Sequence, residues 1–108
     1  MRDSAKGGAL TEVAFYILLS LYEPRHGYGI MQFVEKVTDG RLKMGAGTLY
    51  GALNILQEKR WIALYKNNAG RKKEYLITED GKAAAEKERA RLKQLVITAD
   101  EIMGGNSL

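Results

Sequence analysis

Apolar residues recur at helical spacing from Leu10, through Val13, Ala14, Ile17 and Leu18 to Leu21, and predict a first helix. The opposite side of that helix carries Phe15, Tyr16, Leu19 and Tyr22. A helix with apolar residues on two sides needs two burial partners, and in a short chain the second is expected to be another subunit. Glu23-Pro24 ends it, because proline disfavours helix in the residue before it. Pro24 to Gly27 reads as a turn. A second helix is expected from about Tyr28 to Val37, with Ile30, Met31, Val34 and Val37 inward and Asp39-Gly40 closing it. The alternation from Arg41 to Met44 suffices for a very short strand. A third helix begins near Gly45 to Thr48, with Leu49, Ala52, Leu53 and Leu56 as its core stripe. Its other face shows Thr48, Tyr50, Gly51, Asn54, Gln57 and Glu58, which is small, polar and almost uncharged.

Trp61 to Lys66 alternates with period two, Ile62 and Leu64 pointing one way and Trp61, Ala63 and Tyr65 the other. Lys72 to Ile77 alternates again, and Asn67-Asn68-Ala69-Gly70 between the two runs is a hairpin turn signal. Thr78 suits a helix N-cap, followed by Glu79 and Asp80 where the helix dipole favours negative charge. The fourth helix runs to about Met103 before Gly104-Gly105, on the order of 38 Å. Ala85, Leu92, Leu95, Ala99 and Ile102 form a narrow seam along it, with Val96 and Met103 beside them. The stretch before Leu92 is mostly charged and is expected to project from the body.

The order of elements is that of a winged helix-turn-helix, mainly α with a small β-hairpin, extended by a long C-terminal dimerisation helix. The expected boundaries are a loose N-terminal arm (1–9), a DNA-binding domain (10–78), the dimerisation helix (79–104) and a tail (105–108). A chain of 108 residues leaves room for one such domain.

Composition narrows the chemistry. With no cysteine and a single histidine, His26, disulfides, a thiolate nucleophile and a Cys-ligated metal are excluded, and a His-rich metal site is hard to build. No nucleophile and base are assembled, so no enzyme, metal or cofactor is expected. The Gly45 to Gly51 stretch fails as a dinucleotide loop, which would need glycine where Tyr50 stands. His26 reads as a turn or helix-start contact, Trp61 as core. The longest apolar run, Val13 to Leu19, is far short of a membrane span, and the N-terminus has no secretory h-region, so the expected setting is the cytoplasm.

Charge adds a partner. The formal net charge is +4, and Lys59, Arg60, Lys66, Arg71, Lys72 and Lys73 cluster with no acidic residue among them. A basic patch on a near-neutral body is the footprint of a polyanion. In the winged arrangement the third helix enters the major groove and the hairpin grips the neighbouring backbone. Gly47 and Gly51 would permit close approach, Thr48 and Tyr50 offer hydroxyls to phosphates, and Asn54 can read an adenine edge. Lys66, Arg71, Lys72 and Lys73, with Asn67 and Asn68 at the hairpin tip, would supply the wing contacts.

Three stretches carry a family resemblance: His26-Gly27-Tyr28-Gly29-Ile30; Gly47-Thr48-Leu49-Tyr50-Gly51-Ala52-Leu53, continued by Leu56; and Tyr75-Leu76-Ile77-Thr78-Glu79-Asp80-Gly81. In order and spacing they resemble the signatures of the PadR family of bacterial transcriptional regulators, over most of residues 10–82. Trp61 departs from that pattern, standing where the family often has glycine. The resemblance implies a homodimeric repressor on an inverted-repeat operator in double-stranded DNA, of the short subfamily with one C-terminal helix. It implies phosphate contacts for Tyr28, Thr48 and Tyr50, and groove contacts for Arg71 to Lys73. The dimer would bury Phe15, Leu19, Tyr22, Leu92, Leu95, Val96, Ala99, Ile102 and Met103. The resemblance also implies a small-molecule effector, for which Phe15, Tyr16 and Tyr22 are the stacking candidates, since residues 79–108 hold no aromatic side chain. The rival reading is a winged-helix module that docks an acidic protein and has no DNA target.

Overall fold

The computed structural model describes residues 8–67 and 73–104, Asn67 by its backbone alone. Seven elements follow one another: α1 (Glu12–Ser20), β1 (Arg25–His26), α2 (Gly27–Val37), α3 (Ala46–Glu58), β2 (Ile62–Asn67), β3 (Lys73–Ile77) and α4 (Glu79–Met103). The three strands form an antiparallel sheet in the order β1-β3-β2. Ile17, Leu18 and Leu21 meet Ile30 and Val34 of α2, Leu49, Leu53 and Leu56 of α3, and Ile62, Tyr75 and Ile77 of the sheet in one core.

Local chemistry sets the boundaries. Thr11 caps α1 by accepting the amide of Ala14, and the His26 Nδ1 caps α2 by accepting that of Gly29 at 3.2 Å. Thr78 caps α4 by accepting the amide of Gly81. At the far end Gly104 takes the left-handed conformation (φ 72°) that closes a helix without a Cβ penalty. Arg25 is tied into the body: its Nε donates to the Ser20 carbonyl at 2.7 Å and its guanidinium lies 4.8 Å over the Phe33 ring.

Four expectations are corrected. The third strand is Arg25–His26, pairing with Tyr75 and Glu74. Arg41 to Met44 is no strand; its alternation records Leu42 and Met44 packing against the core. Val37, in the last turn of α2, is exposed. On β2, Leu64 pairs with Tyr75 while Lys66 already pairs with Glu74. Tyr65 is therefore the extra residue of a bulge, and Leu64 does not share the burial of Ile62. The fourth correction concerns α4. Its first turns are held against the body, with Gly81, Ala85 and Glu88 buried, and the stretch after Leu92 projects. Ala85 thus belongs to the chain's own packing and not to an outer seam.

Trp61 lies at the joint of α3, β2 and α4. The amides of Arg60 and Trp61 donate back to the carbonyls of Gln57 and Leu56, which closes α3 in a Schellman turn. That turn requires positive φ at Arg60 (63°), which a side chain adopts at a cost. The Trp61 carbonyl then accepts the amide of Thr78 at 2.9 Å, and the Thr78 hydroxyl donates to the Arg60 carbonyl at 2.8 Å. A Cβ at Gly81 would stand 2.1 Å from that same Trp61 oxygen.

The segment ahead of α1 is tied to α4. The buried Glu88 carboxylate accepts the amide of Leu10 at 3.3 Å and two bonds from Arg91, at 2.9 and 2.6 Å. Arg91's hydrogen bonds hold the Glu88 carboxyl below the usual range, against the opposing effect of burial, and the Leu10 amide adds to them. On the other side of α1, Glu12 pairs with Arg41 of the segment leading to α3.

Two substitutions at the joint should move stability in opposite directions in urea unfolding. Gly81→Ala should cost roughly 3 kcal/mol, because the atom it meets is backbone. Arg60→Gly should gain about 1 kcal/mol by relieving the positive φ. A third prediction concerns pH. A carboxyl with a depressed folded-state pKa stabilises fully above its unfolded value, about 4.3, and the contribution is lost as pH falls through the folded value. Glu88→Gln should therefore lower the melting temperature at pH 7, and the gap to the parent should narrow as pH falls through the depressed folded-state value.

Candidate nucleic-acid interface

Among the described residues, nothing packs on the outward face of α3. Gly47, Thr48, Gly51, Asn54, Gln57 and Glu58 are exposed, and a Cβ placed at Gly47 or Gly51 would find nothing within 4 Å. Neither glycine is demanded by packing or by a positive φ. Gly45 caps α3 without a side-chain bond, which leaves the first-turn amides open where the helix dipole is positive.

Tyr50 sits differently from Thr48. Its hydroxyl reaches over the start of α2, so close that a Cβ at Gly27 would lie 2.4 Å from Tyr50 Oη. It nevertheless keeps 47% of its surface exposed. Tyr28, one residue on from Gly27, is 61% exposed and lies parallel to the His26 ring at 6.4 Å. Tyr75, on β3, is buried, and burial raises its hydroxyl's pKa, with Tyr50 adding a smaller push. The start of α2 and the first turns of α3 therefore form one continuous surface carrying two exposed phenols.

On the wing, Lys66 and Lys73 are exposed, and the backbones of Asn67 and Lys73 pair. Asn68, Arg71 and Lys72 lie outside the described residues. The described members of the basic cluster do not form one patch. Lys59 and Arg60 stand at the base of the wing, where α3 ends, and Lys59 Nζ lies 5.0 Å over the Trp61 ring. They are separated from Lys66 and Lys73 by the length of β2, about 17 Å. Sequence reading passed over Tyr65, 56% exposed at the bulge beside Lys66. Strict alternation cannot reveal a bulge; an aromatic next to lysine on a strand expected to end in solvent was the available signal.

The residues expected at a dimer interface fall in two places. Phe15, Leu19 and Tyr22 line a groove of about 290 Å³ between α1 and α4, shared with Ala85, Glu86 and Arg89. Leu95, Val96, Ile102 and Met103 lie on the projecting part of α4 and are 53–80% exposed, with Leu92 and Ala99 half-buried on the same helix. Tyr16 is not in the groove: it packs against the core, with Arg41 nearby. The structure thus brings together two of the three aromatic candidates for a stacked ligand. Among the described residues no helix is long and apolar enough to cross a membrane.

Comparison with known proteins agrees with this architecture. Residues 17–87 match the family model described as the transcriptional regulator PadR-like family. The transcriptional regulator YqjI of Escherichia coli (strain K12) is 30% identical over 70 residues, covering 65% of this chain and 33% of YqjI. The chain therefore spans about a third of the length of that curated relative. A transcriptional regulator from Clostridium thermocellum superposes with a TM-score of 0.67 at 28% identity, over 80% of this chain and 86% of the other. A PadR-like transcription factor from Bacteroides fragilis gives 0.69 at 28%, over 83% and 88%. A PadR family regulator from Eggerthella lenta gives 0.72 over 87% and 83%; at 23% identity it speaks for the fold. These relatives are regulators of transcription and not enzymes. With its family model matched across the core helices, the wing and the start of α4, this chain belongs to the PadR-like family of transcriptional regulators.

Proposed function

We propose that the protein is a homodimeric, sequence-specific regulator, acting as a repressor, that binds an inverted-repeat operator through α3 and the wing. The observation that carries this reading is the outward face of α3. Two glycines there are demanded by no packing among the described residues, and they lie among Thr48 and Asn54 on a helix whose N-terminus is open. An external surface that approaches within a Cβ radius, accepts hydrogen bonds and is negatively charged accounts for all three features. The major groove of a duplex is such a surface.

In this reading Asn54 reads a base edge. Thr48, Tyr50 and Tyr28 hold phosphates beside the helix. Lys66 and Lys73, with Arg71, Lys72, Asn67 and Asn68 of the tip, hold the neighbouring backbone. The two-fold partner covers the apolar surface of α4 after Leu92 together with the Phe15, Leu19 and Tyr22 groove. Exposure of Ile102 (79%) and Met103 (80%) supports that assignment, since a lone helix end of this kind is stabilised by covering it. A small-molecule effector would take the part of the groove next to Phe15 and Tyr22.

A gel shift with genomic fragments, followed by binding curves on a selected fragment, tests the DNA reading. Asn54→Ala should relax preference at one base position by about 1–3 kcal/mol. Lys66→Ala and Lys73→Ala should weaken all sequences alike, each reducing the salt slope by about one. If neither lysine change moves the slope, the wing is not a clamp. Sedimentation at micromolar concentration should show a dimer of the 12.0 kDa chain, and Leu95→Asp with Ile102→Asp should return it to monomer. A parent that sediments only as monomer contradicts the two-fold arrangement.

A further inference from the structure

Gly27 is the first residue of α2, buried, with no positive φ to explain the absence of a side chain. Glycine is the poorest helix former after proline, so alanine would suit the helix better if the space allowed it. The space admits it only if a neighbour shifts, and the nearest atom is the outer end of the half-exposed Tyr50 side chain. A Cβ there would lie 2.4 Å from Tyr50 Oη, 3.0 Å from Tyr50 Cζ and 3.2 Å from Leu49 Cδ2. Leu49 and Tyr50 are consecutive residues of α3, so their side chains leave that helix about 100° apart, and both end at the Cβ position of Gly27. Rolling α3 about its own axis to free one of them drives the other inward. Leu49 is fully buried among core side chains and has no room to give, whereas Tyr50 is half-exposed.

We propose that Gly27 is a positioning residue for DNA recognition: it is the seat on which Tyr50 fixes the roll of α3 against α2. Asn54 lies one turn beyond Tyr50 on the same side of the helix, so the seat also sets where Asn54 points. Tyr50 therefore acts in two ways, as a phosphate contact and as the stop that aligns the reading face. The inference rests on the DNA-binding reading above. It goes further in assigning the glycine of the His26-Gly27-Tyr28 turn to the adjacent helix and not to its own turn.

The test is a double-mutant cycle on the tightest-binding DNA fragment selected from genomic fragments with the parent protein. Gly27→Ala should weaken binding about tenfold and flatten the preference at the base read by Asn54. Tyr50→Phe alone should weaken binding modestly through loss of the hydroxyl, with base preference largely kept because the ring, through Cζ, still meets Gly27. Together they should bind more tightly than Gly27→Ala alone and regain the base preference, because removal of Oη clears the closest approach. A change that harms the parent and repairs the variant is not expected of two independent stabilising residues. The seat is refuted if Gly27→Ala binds and discriminates as the parent does, or if Tyr50→Phe fails to improve it. Should Gly27→Ala not fold, the double variant decides against Tyr50→Phe: affinities within about threefold support the seat, a further tenfold loss refutes it. A parent that selects no fragment overturns the DNA reading itself, a result distinct from any of these.

Discussion

The carbonyl of Trp61 is the fastening point of the molecule. It takes the amide of Thr78, and the Cα of Gly81 rests against it, while Thr78 reaches back to the carbonyl of Arg60. Within a few ångströms the end of α3, the first strand of the wing and the first turn of α4 are joined by backbone contacts. The orientation of α3 relative to the wing, and of both relative to α4, depends on this joint. A displaced side chain elsewhere can be absorbed by its neighbours. A displaced carbonyl here moves three elements together.

Much of this was legible in the sequence because the relevant signals are local. The 3-4 spacing of Leu49, Leu53 and Leu56 located the buried side of α3 and, by subtraction, its open face. Thr78 and Gly104 marked the ends of α4. What was not legible required knowing who packs against whom. The two-residue strand at Arg25–His26 exists because β3 has a free edge beside it, and no propensity of Arg-His announces that. The bulge at Tyr65 is a property of the pair of strands and not of either one. The direction in which α4 projects was inverted because charge was read as exposure. Glu88 is charged and buried, satisfied by Arg91 and the Leu10 amide, whereas the apolar Val96 and Ile97 stand in solvent.

The candidate site shows the same division. Thr48, Gly51 and Asn54 follow from helical periodicity and are found on the open face. Splitting the basic run into a base pair, Lys59 and Arg60, and a tip pair, Lys66 and Lys73, follows only once β2 is seen as an extended strand between them. This matters for electrostatics, since screening reduces coupling between exposed charges more than about 10 Å apart and the two pairs act as separate charges. Arg60 also carries a backbone duty, the positive φ of the Schellman turn, that its charge alone would not suggest.

The central claim is that two copies of one rigid reading unit, α3 with its wing, meet a duplex under two-fold symmetry. Hydroxyl-radical footprinting of the selected fragment addresses it most directly. The account predicts two protected stretches related by a dyad, centred one helical turn or about 10 base pairs apart, with further protection where the wings meet the flanking backbone. A single, asymmetric protected stretch would contradict it.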